Sequence, residues 1–363
     1  MTTQHVRHAA ALTYLEHPIK MRPSSGYGTV YQQAEDIGGT FTRIRWGLPD
    51  QSIANFSPCL VSEKGHRLLA FRSQPEPFVF RHDQKYFYYN NTPTEVYVGE
   101  LVSDDTILGA RKIRTAPHRL SYEDPRLFKA PDGEIYCQFI TSSYASKWDS
   151  SKHLLVNQPK VCVGKLTTHG EVVDCVYPPA GQNLEAGKPE KNWCFFTDKE
   201  ELKLLYSTIP LTIKTPGKPD KTIDSSCLKK VVGENPTFNS TAPIKIGDEW
   251  LVFFHWKYMA FDAQKQITYL LYHLGAYTLD EDMTKITRMC TEALFSGSTE
   301  DKLIWWTDAT GAPVSKQPAC ILPFGGEYDE ETDCIELPLG VNDSFMGIFR
   351  CPLVNVLGIL EKV

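Results

Sequence analysis

The run Tyr122-Glu-Asp-Pro-Arg126 puts two carboxylates, a proline and a guanidinium within five residues. Pro125 fixes its own backbone and pushes Asp124 toward an extended conformation. An aspartate held this stiffly suits a general acid, with its proton affinity set by burial and by neighbouring charge. The same residues also suit a structural salt-bridge turn, with Arg126 and Lys191 as counter-ions. A second pair, Lys191-Asn192, stands ahead of the aromatic run Trp193-Cys-Phe-Phe196.

The elements that must carry these residues are strands. Helical periodicity is confined to Ala9–Glu16 and Leu353–Lys362; elsewhere short β-branched and aromatic runs alternate with Gly, Asp and Pro turns. One unit recurs: an apolar strand, a polar turn and a second apolar strand. It starts at Cys59, Arg126, Trp193, Ala242 and Ala319. Turns at Ser62–His66, Pro131–Gly133, Thr197–Glu201, Gly247–Glu249 and Gly325–Asp333 divide the five copies. Further strands trail the units, the one after the third being vague (Thr212–Lys214 or Leu228–Val232).

Five such sheets predict an all-β fold, a five-bladed β-propeller over 51–363 with a short N-terminal extension (1–50) packed on it. The competing arrangement is a pair of β-sandwiches. In a propeller the strand ends place side chains at the mouth of the axial channel. Those positions hold Asn55, Glu123, Asp124, Arg126, Lys191, Asn192, Asn239 and Gln317 at strand entrances. Arg72, Thr141-Ser142, Ser207, His255 and Asn342-Asp343 stand at the ends of second strands. An acid, several amides and a few cations converging on one rim suit a polyhydroxylated or phosphorylated ligand.

Composition narrows the classes. A net charge of −6 argues against a nucleic-acid surface. No apolar run approaches the roughly 18 residues of a membrane span, and the N-terminus is too interrupted for a secretory signal. The ten cysteines lack paired spacing and read as reduced core residues of a cytoplasmic protein. No His, Asp or Glu cluster has metal-ligand spacing, so neither a metal nor an organic cofactor is expected.

The sequence resembles glycoside hydrolase family 130, the β-mannoside phosphorylases and mannosidases, and the related β-1,2-mannosyltransferases of glycosyltransferase family 108. The resemblance spans Asn55–Arg350 and rests on motifs in the family's order: Glu123-Asp-Pro-Arg126, Lys191-Asn192 and Ala242-Pro-Ile-Lys-Ile246. Trp250–His255, Tyr272–Asp280 and Gly340-Val-Asn-Asp343 complete the series. It implies a five-bladed propeller with Asp124 as proton donor. Lys191, Asn192 and Asp343 would hold the mannosyl unit, and Arg72, Arg126 and His255 would gather phosphate. One departure is that Tyr206-Ser207-Thr208 stands where the family's phosphorylases carry His-Arg-Pro.

An inverting transfer to phosphate needs one acid plus cations, whereas hydrolysis needs a second carboxylate to activate water. With Asp124 as the one convincing acid, the expected reaction is mannosyl transfer between a β-mannoside and inorganic phosphate, or its reverse from mannose 1-phosphate. A mannosidase using Glu185, Glu190, Glu327 or Glu330 as base is the alternative, and a non-catalytic sugar-binding propeller is the third reading. The expected partners are a mannoside or oligosaccharide and phosphate, without nucleic acid or membrane. Oligomeric state stays open, a homo-oligomer included. The insertions at 73–94, 145–160, 212–236 and 295–316 are expected to build the acceptor side.

Overall fold

Runs of β-branched and aromatic residues cut by turn residues fold as strands wherever the computed structural model describes the chain. The described residues are 12–14, 28–46, 54–74, 79–82, 86–89, 94–113, 120–143, 147–149, 154–156, 160–167, 171–176, 191–263, 267–298, 301, 307–308 and 316–363. Among them the fold is all-β and propeller-like, with three short helices (Val30–Asp36, Ser226–Val232, Leu353–Gly358). No helix among the described residues is long and apolar enough to cross a membrane.

Three sheets are four-stranded antiparallel meanders. The first joins Ala54–Glu63, His66–Gln74, Glu95–Ser103 and Thr106–Lys112. The second joins Leu120–Lys129, Ile135–Ser143, Lys160–Leu166 and Val172–Val176, and the third Cys194–Asp198, Glu201–Thr208, Leu211–Lys214 and Lys221–Ile223. A fourth, nine-stranded sheet is built on the long hairpin of Glu249–Asp262 and Ile267–Asp280. In the fifth, Cys334–Val341 and Phe345–Pro352 pair centrally, and Thr40–Arg43 adds the outer strand. Residues 40–43, placed by sequence in the extension, thus complete a sheet formed by the end of the chain.

Neighbouring sheets touch in succession. Ala54–Glu63 meets Leu120–Lys129, which meets Cys194–Asp198; Glu201–Thr208 meets Thr237–Asn239, Ile244–Ile246 meets Glu327–Asp329, and Cys334–Val341 returns to Ala54–Glu63. Apolar clusters fill the gaps. Cys59, Val61 and Ala70 pack with Leu127, Cys137 and Phe139 of the second sheet. Leu60, Leu69 and Phe71, the alternating positions of the same strands, pack with Met346 and Ile348 of the fifth. Alternate side chains point to opposite faces, so a sheet covered on both sides needs a nearly continuous apolar run. That is why these strands look uniformly hydrophobic in sequence.

Six sheets form among the described residues where the repeat predicts five. The additional one joins Val79–His82, Tyr86–Tyr89, Lys147–Asp149, Leu154–Val156 and Thr307–Asp308. These segments come from three of the four insertions read in the sequence. The fourth insertion, 212–236, instead supplies the third sheet's outer strands and the helix Ser226–Val232. Three local expectations also change. Leu12–Tyr14 is a strand against Ala260–Asp262, not helix, and the rest of Ala9–Glu16 lies outside the described residues. Leu353–Lys362 is helix only to Gly358 and then pairs as Leu360–Lys362 with Arg288–Cys290. The helix Val30–Asp36 has no counterpart in the sequence periodicity, although Thr29 and Gln32 form a capping box at its start.

Candidate active site

The Glu-Asp-Pro-Arg run does not precede its strand; it lies inside one. Glu123 pairs with Ile140 and Arg126 with Gln138, so Asp124-Pro125 faces a single residue across the ladder. This is a β-bulge, the device that re-aims a side chain and tolerates a proline without an N–H. Asp124 takes φ 50°, in the left-handed region that only glycine enters freely. The first sheet repeats the arrangement. Phe56 pairs with Arg72 and Cys59 with Ala70, leaving Ser57-Pro58 bulged, with Ser57 at φ 51°. Asn192 holds φ 61° at the same place ahead of the third sheet.

The two bulges bring their side chains together. Ser57 Oγ donates to Asp124 Oδ1 at 3.2 Å. Arg72 reaches across from the first sheet, with Nη2 3.5 Å from Glu123 Oε1 and Nη1 3.8 Å from Asp124 Oδ1. Its guanidinium also stacks on Phe56, 4.8 Å from the ring centre. Lys191 Nζ donates to Glu123 Oε2 at 3.3 Å. Thr94 Oγ1 donates to the Tyr122 carbonyl at 2.8 Å and locks the two sheets beside the acids.

Asp343 enters the cluster from the fifth sheet, at φ 49° in the turn after Cys334–Val341. Asn342, fully buried, fixes that turn: its Oδ1 accepts from Cys320 N at 2.8 Å and its Nδ2 donates to Ser298 O at 2.7 Å. Burial pushes the Asp343 carboxyl up to about 6; Arg72 and Lys191 pull it down, while Asp124 and Glu123 push it up further. Three carboxylates and two cations therefore feel one another's charge, and a carboxyl that titrates near neutrality stands among them.

The remaining expected residues form a different group. Arg126, 4% exposed, donates to the carbonyls of Ser240, Phe324 and Asn239. Its guanidinium is committed to main-chain oxygens, not displayed to an anion. His255, which the sequence places at the end of a strand, lies in the middle of Glu249–Asp262, with Nδ1 2.7 Å from Ser240 Oγ. Burial, with the charges of Arg126 and Lys257, lowers its pKa to about 3, so the imidazole is neutral at physiological pH. Asn239 donates to the carbonyls of Asn192 and Leu205 and accepts from Thr208 Oγ1, a clasp between the third and fourth sheets. Asn55 donates to Trp46 O, and strand alternation turns it to the face opposite Arg72.

Sequence reasoning misses Ser57. Its signal is the Ser-Pro dipeptide 67 residues ahead of Asp124-Pro125, the same interval that separates the first two repeat units. The bulge lies inside the strand, so a reading by strand entrance selects Asn55, two residues earlier, instead.

At the other mouth, where the first strands end in their turns, lies a cavity of about 450 Å³ lined by Arg126, Phe128, Phe196, Phe324 and Glu327. Two of its charged groups are engaged locally: Glu327 accepts from Ser62 N and Oγ, and Arg126 is bound as described.

A search of solved structures finds this architecture repeatedly. A GDP-Man-dependent mannosyltransferase from Leishmania mexicana superposes with a TM-score of 0.56 at 13% identity, over 89% of this chain and 94% of that one. The fold is that of the mannoside phosphorylases. A β-1,2-mannobiose phosphorylase from Listeria innocua, solved with β-1,2-mannobiose, aligns with a TM-score of 0.55 at 13% identity over 88% and 96% of the two chains. A mannose phosphorylase from Leishmania mexicana, solved with a phosphate ion, gives 0.51 at 12% identity over 88% and 90%. No family model and no curated protein matches the sequence.

Proposed function

We propose that this protein is a carbohydrate-active enzyme that transfers a mannosyl unit between a β-mannoside and phosphate with inversion, and that Asp124 is its general acid. The first five sheets are taken as the blades of a propeller, supported by their unbroken succession of contacts. The observation that carries the proposal is the convergence of Asp124 with Ser57, Arg72, Glu123, Lys191 and Asp343 at one end of that ring. A non-glycine residue held at positive φ costs of order 1–3 kcal/mol and persists where its surroundings demand it.

In this mechanism the proton of Asp124 goes to the glycosidic oxygen as that bond breaks, and a phosphate oxygen attacks the anomeric carbon from the opposite face. Arg72 and Lys191 are the cations that would meet the phosphate, while Arg126 and His255, both bound to Ser240, serve the scaffold. Asp343 and Asn192 would grip the mannosyl hydroxyls. The two relatives solved with β-1,2-mannobiose and with phosphate supply the substrate classes. The sheet made from the insertions is the natural acceptor side.

Hydrolysis is the second reading, favoured by one observation. Glu123 and Asp343 put two further carboxylates beside Asp124 where the sequence suggested one acid, and water activation needs such a group. Incubation with β-1,2-mannobiose, with and without phosphate, separates the two. Mannose 1-phosphate formed only with phosphate supports transfer. Free mannose released at the same rate without phosphate overturns it in favour of hydrolysis.

A further inference from the structure

Gln74 is fully buried, and among the described residues neither its amide nitrogen nor its amide oxygen has a hydrogen-bond partner. A carboxamide shut away from water in this state costs free energy that folding alone does not explain. Its position points to the reason. The strand His66–Gln74 pairs regularly with Ala54–Phe56 on one side and Glu95–Val96 on the other, so Arg72 and Gln74 present their side chains to the same face. That face looks toward Glu123 and Asp124. Two strand residues separate the side chains by about 7 Å, the scale of one sugar unit. Across the ladder from Gln74 stands Ala54, whose methyl group offers the amide no hydrogen-bonding partner. Val79–His82, which follows in the chain, belongs to the sheet made from the insertions.

We propose that Gln74 is a specificity-determining residue that binds the sugar unit next to the mannosyl ring handled by Asp124, on the acceptor side. A primary amide offers one acceptor and a two-proton donor from a single plane. It therefore matches two neighbouring hydroxyls of a pyranose, one donating to Oε1 and one accepting from Nε2. A site that leaves polar groups unpaired without its ligand discriminates strongly against ligands lacking the matching hydroxyls. This inference rests on the mannoside reading of the same site.

The test uses the full-length protein and two probes, β-1,2-mannobiose and methyl β-mannoside, with binding read by calorimetry. Gln74→Leu and Gln74→Met keep the volume and remove the amide. Binding of the disaccharide is expected to weaken at least tenfold, binding of the methyl glycoside to stay within twofold, and the melting temperature to hold or rise. Disaccharide affinity unchanged in both variants overturns the role of Gln74 while the mannoside reading stands. Equal weakening of both probes with a lowered melting temperature assigns the amide to structure and overturns it as well. A wild-type protein that binds neither probe overturns the mannoside reading and this inference together.

Discussion

Ser57 and Asp124 occupy the same position in consecutive sheets, each at positive φ in a bulge closed by a proline, and the serine hydroxyl donates to the aspartate at 3.2 Å. The repeat thus supplies both the proposed acid and a group that orients it. Asp124→Asn removes the transferable proton, and kcat should fall by about 10²–10⁴-fold with an unchanged circular dichroism spectrum. Ser57→Ala deletes one hydrogen bond worth about 1 kcal/mol, so kcat should fall about fivefold with KM nearly constant. Steady-state kinetics on β-1,2-mannobiose with phosphate check both. A fully active Asp124→Asn variant removes the acid from the mechanism.

Asp343 gives the protein a pH signature. Its carboxyl is pushed from 3.8 up to about 6 in the folded state, chiefly by burial. A raised carboxyl pKa means the folded state holds its proton longer than the unfolded chain does. Its contribution is therefore complete below pH 4 and is lost as pH rises through 6. Each tenfold gain in proton affinity is worth about 1.4 kcal/mol, and residual solvent contact reduces the whole effect to about 1–2 kcal/mol. Asp343→Asn should match the wild type at pH 4 and exceed its stability by that amount at pH 8. Denaturant unfolding at both values measures it; equal gaps at the two pH values sink the assignment.

Much of this was legible in the sequence, and the failures share a cause. Turn residues such as Pro131-Asp-Gly133 and Gly247-Asp-Glu249 mark hairpins because few other residues bend the chain there, and both hairpins form. Asp124 stood out because a proline beside an acid is a local signal. Arg126 and His255 look equally available in sequence, which shows neither the carbonyls of Ser240, Phe324 and Asn239 that hold Arg126 nor the Ser240 hydroxyl that holds His255. Register was also invisible: Ser57 and Asp124 owe their placement to an extra residue in each ladder, which no period-two count reveals. The sheet assembled from the insertions depends on pairings across more than 200 residues, Val79 with Thr307 among them, beyond any local pattern.

The seam between the first and fifth sheets carries its own ion network. Arg67 and Arg350 both reach Asp104 and the buried Glu336. Removing the buried one of these two shared carboxylates leaves both cations to Asp104 alone, so Glu336→Ala should cost about 2–4 kcal/mol of unfolding free energy. Asp282→Ala, which deletes the partner of the exposed Lys199, should cost less than about 0.5 kcal/mol. Parallel urea titrations compare the two, and equal losses contradict the view that Glu336 holds the ring shut.

Gly340 links that same fifth sheet to the bulge beside Asp124. A Cβ at this position would sit 2.9 Å from Ser57 N, a backbone atom, and 3.3 Å from Cδ of the rigid Pro58 ring. Gly340→Ala must therefore push the Ser57-Pro58 bulge aside, at an overpacking cost of about 1–3 kcal/mol. Moving Ser57 loosens its bond to Asp124, so kcat should drop at least as far as in Ser57→Ala while KM changes little. The double variant separates strain from positioning. Once the serine hydroxyl is gone, Gly340→Ala should lower kcat by less than it does in the wild type, because part of its effect is transmitted through that hydroxyl. Strictly multiplicative losses in kcat would place the influence of Gly340 on another route.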